Sequence, residues 1–193
     1  EIYGIEGVFP VAETVIGRLS AIASEEILYP EIARAHAIRG AEVFLHSTSE
    51  VASPNLTIKQ IARRARALEN MAYVVSANNA ELRGISVPTD STNGYSDIID
   101  WNGNQMVVAA TGNSSVATAS LDLAGLRAHR RRPSMANMLS RQALEMFAEP
   151  FAKADLRRRN GLLQDGKLMI PDRAYFQQRQ ADAIARMVER GIL

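Results

Sequence analysis

Apolar positions recur along this chain at two spacings, and the spacing switches between them several times. Residues 9–12 and 18–23 are short apolar runs around Glu13-Thr14-Val15-Ile16-Gly17, and both predict strands. Over residues 30–39 the period lengthens: Ile32, Ala33, Ala35, His36 and Ile38 form one helical face, and Gly40 suits the position just past the helix end. Residues 41–46 predict a short buried strand, followed by a polar loop over residues 47–55. The strongest helix covers residues 57–72. Ile58, Ile61, Ala62, Ala65, Leu68, Glu69 and Ala72 follow the 3.6-residue period, while Lys59, Arg63, Arg64 and Arg66 supply a polar side. A strand over 73–78 and a Gly/Pro/Ser/Thr/Asn loop over 79–94 come next. Runs at 95–101 and 105–110 flank Asn102-Gly103, the pair preferred in a type I′ hairpin turn. Residues 116–121 predict a further strand, and Asp122-Leu123 opens a helix toward Arg132.

Beyond Pro133 the pattern is mostly helical, broken at Arg157-Arg158-Arg159-Asn160-Gly161, with a last helix near residues 173–190. The chain therefore divides into residues 1–132 and a helical extension, 133–193. Strands alternating with helices predict an α/β layered fold. With 193 residues and 47% hydrophobic content, the chain is long enough for one domain with a core. The net charge of +1 argues against a nucleic-acid partner, although the basic residues are lopsided, 19 Arg to 3 Lys. No run approaches the roughly 18 apolar residues of a membrane span, and the first residues do not resemble a signal peptide. The abrupt start, without Met, reads as the C-terminal portion of a longer, cytoplasmic protein. There is no cysteine, and the three histidines are too dispersed for a metal motif.

One residue stands out against this frame. The strand over 18–23 ends at Ser24, within Ala21-Ile22-Ala23-Ser24-Glu25-Glu26, and a helix opens soon after at Tyr29-Pro30-Glu31. This strand–nucleophile–helix elbow resembles that of the carbon–nitrogen hydrolases, the nitrilase and amidase superfamily, in which a cysteine occupies the place of Ser24. Three further blocks match in order. Gly40-Ala41-Glu42-Val43-Phe44-Leu45 leads into His46-Ser47-Thr48-Ser49-Glu50. Arg64-Ala65-Arg66-Ala67-Leu68-Glu69-Asn70 leads into Tyr73-Val74-Val75-Ser76-Ala77-Asn78. Gly94-Tyr95-Ser96-Asp97-Ile98-Ile99-Asp100 precedes Asn102-Gly103. The resemblance spans residues 8–123 and fades after about residue 145.

The resemblance implies a portion of a four-layer α-β-β-α sandwich. It also implies hydrolysis of a small-molecule amide, carbamoyl compound or nitrile through a covalent acyl-enzyme, with no cofactor and with assembly into homo-oligomers. The family uses a Cys nucleophile, a Glu base and a Lys at the oxyanion. At this site the backbone N–H of Glu25 would contribute to the oxyanion hole, and Ser47, Thr48 and Ser49 would line the substrate pocket. Glu1 or Glu6 would be the supporting carboxylate. The catalytic Lys and the base Glu are expected upstream of residue 1, because no Lys precedes Lys59. A serine hydroxyl is far less acidic than a thiol and needs a strong adjacent base, so this chain is expected to turn over little or nothing. A non-catalytic, ligand-binding or interaction protein is the alternative. A serine hydrolase of another fold would call for Gly-x-Ser-x-Gly, whereas Ser24 is flanked by Ala23 and Glu25.

Blander readings account for most other polar residues. Glu31 suits the positive end of a helix dipole. Glu69 and Asn70 read as packing and hydrogen-bonding residues, and His36 and His46 as structural histidines. The triplets Arg130-Arg131-Arg132 and Arg157-Arg158-Arg159 read as solvated helix ends or subunit contacts. The stretch from Met135 to Gln142 suits an active-site mouth or a dimer contact.

Overall fold

The computed structural model describes residues 4–92, 94–109, 114–157, 161–164 and 166–193. The apolar run expected as a strand at residues 9–12 is divided. A short helix, α1 (Gly4–Val8), comes before it, and strand β1 (Ala12–Thr14) begins only at its end. Pro10 has no N–H to give to a ladder, so pairing starts beyond it. β1 turns back antiparallel onto β2 (Gly17–Ala23). Pro30 then sits at the opening of α2 (Pro30–Ile38), where its missing N–H costs nothing. β3 (Val43–Thr48), α3 (Ile58–Asn70) and β4 (Tyr73–Asn78) complete two crossover units, and β2, β3 and β4 run parallel. β5 (Asp97–Ile99) and β6 (Gln105–Val108) add antiparallel strands, so the six strands lie side by side in chain order.

Two expectations fail in this region. Asn102 lacks the left-handed φ that a type I′ turn requires; among residues 100–104 only Gly103 has it, at +79°. The loop closes instead through Asp100, whose Oδ1 accepts from the N–H groups of Asn102 (2.8 Å) and Asn104 (2.9 Å). Residues 116–121 form no strand.

Alternation across the sheet sets the core. On one face Phe44, Val74 and Ile99 stand in register as an apolar row, buried with Ala33, Ala37, Ala62 and Ala67 from α2 and α3. The next row on that face is Ile22, His46, Ser76 and Asp97, again in register. Its polar members explain why α3 is rotated from the expected orientation, although Ala62 is buried and Arg64 exposed as expected. Ile58 and Ile61, placed on the core side by periodicity, are 69% and 55% exposed, while Gln60, Arg63 and Arg66 are buried. Arg63 meets the polar row. Arg66 donates through Nε to the Ile27 carbonyl (3.0 Å) and pairs with Glu69 (2.5 Å).

The opposite face is covered at the amino ends of the strands by α4 (Leu123–Arg131), whose Leu126 packs on Val43 and Tyr73. Arg127 grips the fully buried Glu42 with Nε (2.6 Å) and Nη2 (2.9 Å), and the N–H of Arg18 adds a third bond (2.9 Å). Arg130 is not a solvated helix end: it donates to the carbonyls of Met71 (2.9 Å) and Ala41 (2.7 Å). A short α5 (Met138–Arg141) ends this unit at Gln142.

Hydrogen bonding from Arg127, opposed by burial, holds the Glu42 carboxyl down at about 2. Its stabilisation is therefore complete above the ordinary carboxylate range and is lost as pH falls from there toward 2. Glu42→Gln is expected to cost about 1–3 kcal/mol at pH 7, with the gap to native protein narrowing at pH 3. Urea unfolding followed by the fluorescence of Trp101, the chain's single tryptophan, measures both.

Residues Ala143–Leu193 form a second compact unit. It holds α6 (Glu145–Ala154), a hairpin of β7 (Leu163–Gln164) and β8 (Lys167–Leu168), and α7 (Arg173–Glu189), capped by Asp172. No helix among the described residues is long and apolar enough to cross a membrane.

Candidate functional site

β2 ends at Ala23, and the chain then enters an unusual conformation at Ser24, whose φ is +42°. A non-glycine residue there costs about 1–3 kcal/mol and persists only where its surroundings impose it. A 3-10 turn (Ser24–Leu28) follows directly, and α2 then opens at Pro30, where the sequence puts it. Ile27 is fully buried and anchors the turn, and Glu26 accepts from the Ala23 N–H (2.7 Å). Ser24 lies just beyond the carboxyl end of β2, with Thr48 and Asn78 ending β3 and β4 beside it. In sheets of parallel strands this end is where ligands bind.

A directional chain of hydrogen bonds holds the elbow from behind. The Ser24 carbonyl oxygen can only accept, so His46 donates to it from Nε2, over 3.0 Å. His46 Nδ1 then accepts from the Ser76 hydroxyl (2.8 Å), whose oxygen accepts from Arg63 Nη1 (2.8 Å). Burial pushes the His46 imidazole down to about 4, so the ring is neutral near pH 7, as this tautomer requires. Arg63, itself fully buried, is neutralised by Asp97 (2.8 Å) and Glu50 (3.3 Å). Burial in turn raises the Asp97 carboxyl, against the pull of Arg63.

On the other side of the elbow stands a residue that the sequence did not mark as functional. Lys59, in the first turn of α3, donates from Nζ to Ser24 Oγ (3.0 Å) and to Thr48 Oγ1 (3.2 Å). Thr57 places this turn: its hydroxyl caps the Gln60 N–H (3.2 Å) and donates to Glu50 (2.9 Å). Lys59 lies thirty-five positions downstream of Ser24, on a side of α3 whose run of basic residues reads as a solvated face. Its place on the first turn, where a cation opposes the helix dipole, was the available signal.

Among the three residues expected in the pocket, Thr48 shares Lys59 with Ser24. Ser47 is exposed on the opposite sheet face, in register with Ala23, and Ser49 accepts from Asn79 (3.2 Å). The Glu25 side chain is exposed, and its N–H is the first of the 3-10 turn beyond Ser24, a position without a partner inside the turn. Glu6, on α1, is exposed and paired with Arg39 (Nη1 to Oε1, 3.0 Å); Glu1 lies outside the described residues, as do Arg158 and Arg159. A hollow of about 500 Å³ lies beside the elbow, lined by Phe9, Pro10, Ala21, Ala23, Glu26 and His36, without Ser24 itself.

This geometry has counterparts. The family model for carbon-nitrogen hydrolases matches residues 2–131. A probable nitrilase of Schizosaccharomyces pombe is 30% identical over 118 residues, which cover 60% of this chain and 40% of that protein. A hydrolase of Pseudomonas protegens is 33% identical over 114 residues, 59% of this chain and 35% of its own. Among solved structures, a carbon-nitrogen hydrolase from Helicobacter pylori aligns with a TM-score of 0.61 at 20% identity, over 74% of this chain and 52% of that one. An amidase from Nesterenkonia, in complex with butyramide, aligns with a TM-score of 0.54 at 20% identity, over 72% and 46%. The chain thus spans 40% and 35% of the length of these two curated relatives, and it shares the fold of the two structures.

Proposed function

We propose that this chain, which belongs to the carbon-nitrogen hydrolase family, carries the acyl-accepting position of a hydrolase of small amides or carbamoyl compounds, and that this position is Ser24. The observation that carries the reading is the strained backbone of Ser24 at the carboxyl end of β2, braced from behind by His46. The substrate's acyl group would pass to the side chain of residue 24, with release of the amine, and then to water. The Glu25 N–H would stabilise the oxyanion. Thr48 is the pocket residue nearest this chemistry, and Ser47 and Ser49 would act farther out. In this reading the protein needs no cofactor, works in the cytoplasm and assembles as a homo-oligomer, with residues 133–193 contributing to its contacts.

Serine in place of cysteine makes the acyl transfer slow. In the protein as its gene encodes it, Ser24→Cys is therefore expected to raise ammonia release from a panel of small amides, butyramide included, at least tenfold, and Ser24→Ala to abolish it. Equal rates for the native protein and the Ser24→Ala variant, with no gain for cysteine, would sink the reading. That outcome favours the second one, a ligand-binding member without catalysis, for which the serine itself is the supporting observation. Binding of butyramide without turnover would then be its mark.

A further inference from the structure

We infer that Lys59 is the acid–base partner of Ser24, forming with it a serine–lysine pair that supplies what nucleophilicity the hydroxyl has. The inference rests on the reading of Ser24 as the acyl-accepting residue and adds the group that activates it. A serine nucleophile needs an adjacent base within hydrogen-bond reach. Lys59 Nζ, at 3.0 Å, meets that requirement from a position downstream of the nucleophile.

Neutral groups position Nζ at Ser24. Its two hydrogen-bond partners are hydroxyls, those of Ser24 and Thr48, and among the described residues it forms no ion pair with a carboxylate. The nearby charges are otherwise engaged. Glu50, from the loop after β3, holds Thr57 and Arg63; Glu26, on the 3-10 turn, holds the Ala23 N–H; Glu25 is exposed. His46 is neutral near pH 7, and Arg63 on the same helix is paired with Asp97 and Glu50. Thr48 fixes the direction of the Lys59 chain, so that Nζ is aimed at Oγ.

The free amine of Lys59 takes the Ser24 hydroxyl proton as Oγ bonds to the carbonyl carbon. The carbon–nitrogen bond breaks, and the proton passes from Nζ to the departing nitrogen, which leaves as amine or ammonia. Water then adds to the ester, giving its proton to Nζ; the Oγ–carbon bond breaks, the acid leaves, and the proton returns to Oγ.

A fluorophosphonate reads this pair without any amide turnover: Oγ–phosphorus forms, phosphorus–fluorine breaks, and the hydroxyl proton leaves with fluoride by way of Nζ. Labelling of the full protein at residue 24, followed by intact mass and peptide mapping, is expected to accelerate with pH along one ionisation and then level. Lys59→Met should slow it at least tenfold and flatten the profile. Lys59→Arg, which keeps a cation but is never a base near neutral pH, should be slowed as much. Trp101 fluorescence checks that each variant is folded. No labelling of Ser24 at any pH, native rates in the methionine variant, or native rates in the arginine variant would each overturn the inference, the last by reducing Lys59 to a charge. Labelling that depends on Lys59, in a protein that releases no ammonia from any amide, would uphold the pair and bring down the proposed substrate class instead.

Discussion

Arg63→Ala is expected to destabilise the unit Glu1–Gln142 by about 3–5 kcal/mol, the cost of leaving buried charges without their partner. Arg63 is 0% exposed and bonds Asp97, Glu50 and Ser76 at once. Alanine leaves both carboxylates in a dry site, and Asp97, already raised by burial, would take up a proton. The loss reaches the site as well, because Ser76 no longer has its donor and the chain to the Ser24 carbonyl loses its origin. If the cost is that of stranded charge, neutralising the partners should recover much of it, so Arg63→Met combined with Glu50→Gln and Asp97→Asn is expected to be more stable than Arg63→Ala alone. Urea midpoints followed by Trp101 fluorescence decide both points. A loss below about 1 kcal/mol for the single variant, small beside the cost of breaking a buried pair, would mean that water or other groups already solvate these carboxylates.

Arg63 also shows where the sequence stopped being legible. The existence of α3, its start near Thr57 and strand β4 follow from periodicity, and both elements stand where that signal puts them. Which side of α3 faces the sheet does not follow, because taking the apolar stripe of a helix as its inward side assumes an apolar partner. Here the partner is the row His46, Ser76 and Asp97, on three strands far apart in the chain, and it draws arginine inward and leaves Ile58 and Ile61 outside. The strands at residues 9–12 and 116–121 failed differently. Pro10 forbids early pairing, and small residues alternating at 116–121 pair with no strand among the described residues. At the site, the motif around Ser24 was readable because it is local. Lys59 was not, since its meaning depends on the fold of a helix start against a strand end.

His46→Gln is expected to remove an acid-sensitive part of the fold's stability amounting to about 3 kcal/mol. The folded imidazole is held at about 4, chiefly by burial and further by Arg63 and Lys59, against an ordinary value of 6.5. Above 6.5 both folded and unfolded chains carry it neutral, so it adds no slope. As pH falls from 6.5 toward 4, the unfolded chain binds a proton that the folded chain refuses, and stability drops through that window. His36, also lowered by burial, contributes in the same direction, whereas Asp97, with a raised carboxyl, contributes in the opposite one. The difference between native and variant curves cancels both. Glutamine keeps a donor for the Ser24 carbonyl but does not titrate, so the variant should be less stable at pH 7.5 by about 1 kcal/mol and should equal or exceed the native protein by pH 4.5. Unfolding free energies measured across pH 4–8 test this, and parallel curves would refute it. The same protonation makes Nδ1 a donor facing the Ser76 hydroxyl and reverses the direction of the chain that braces Ser24. Fluorophosphonate labelling of Ser24 in the native protein should therefore fall below about pH 5 more steeply than in the His46→Gln variant, a drop set by the brace behind the elbow and separate from the alkaline rise set by Lys59.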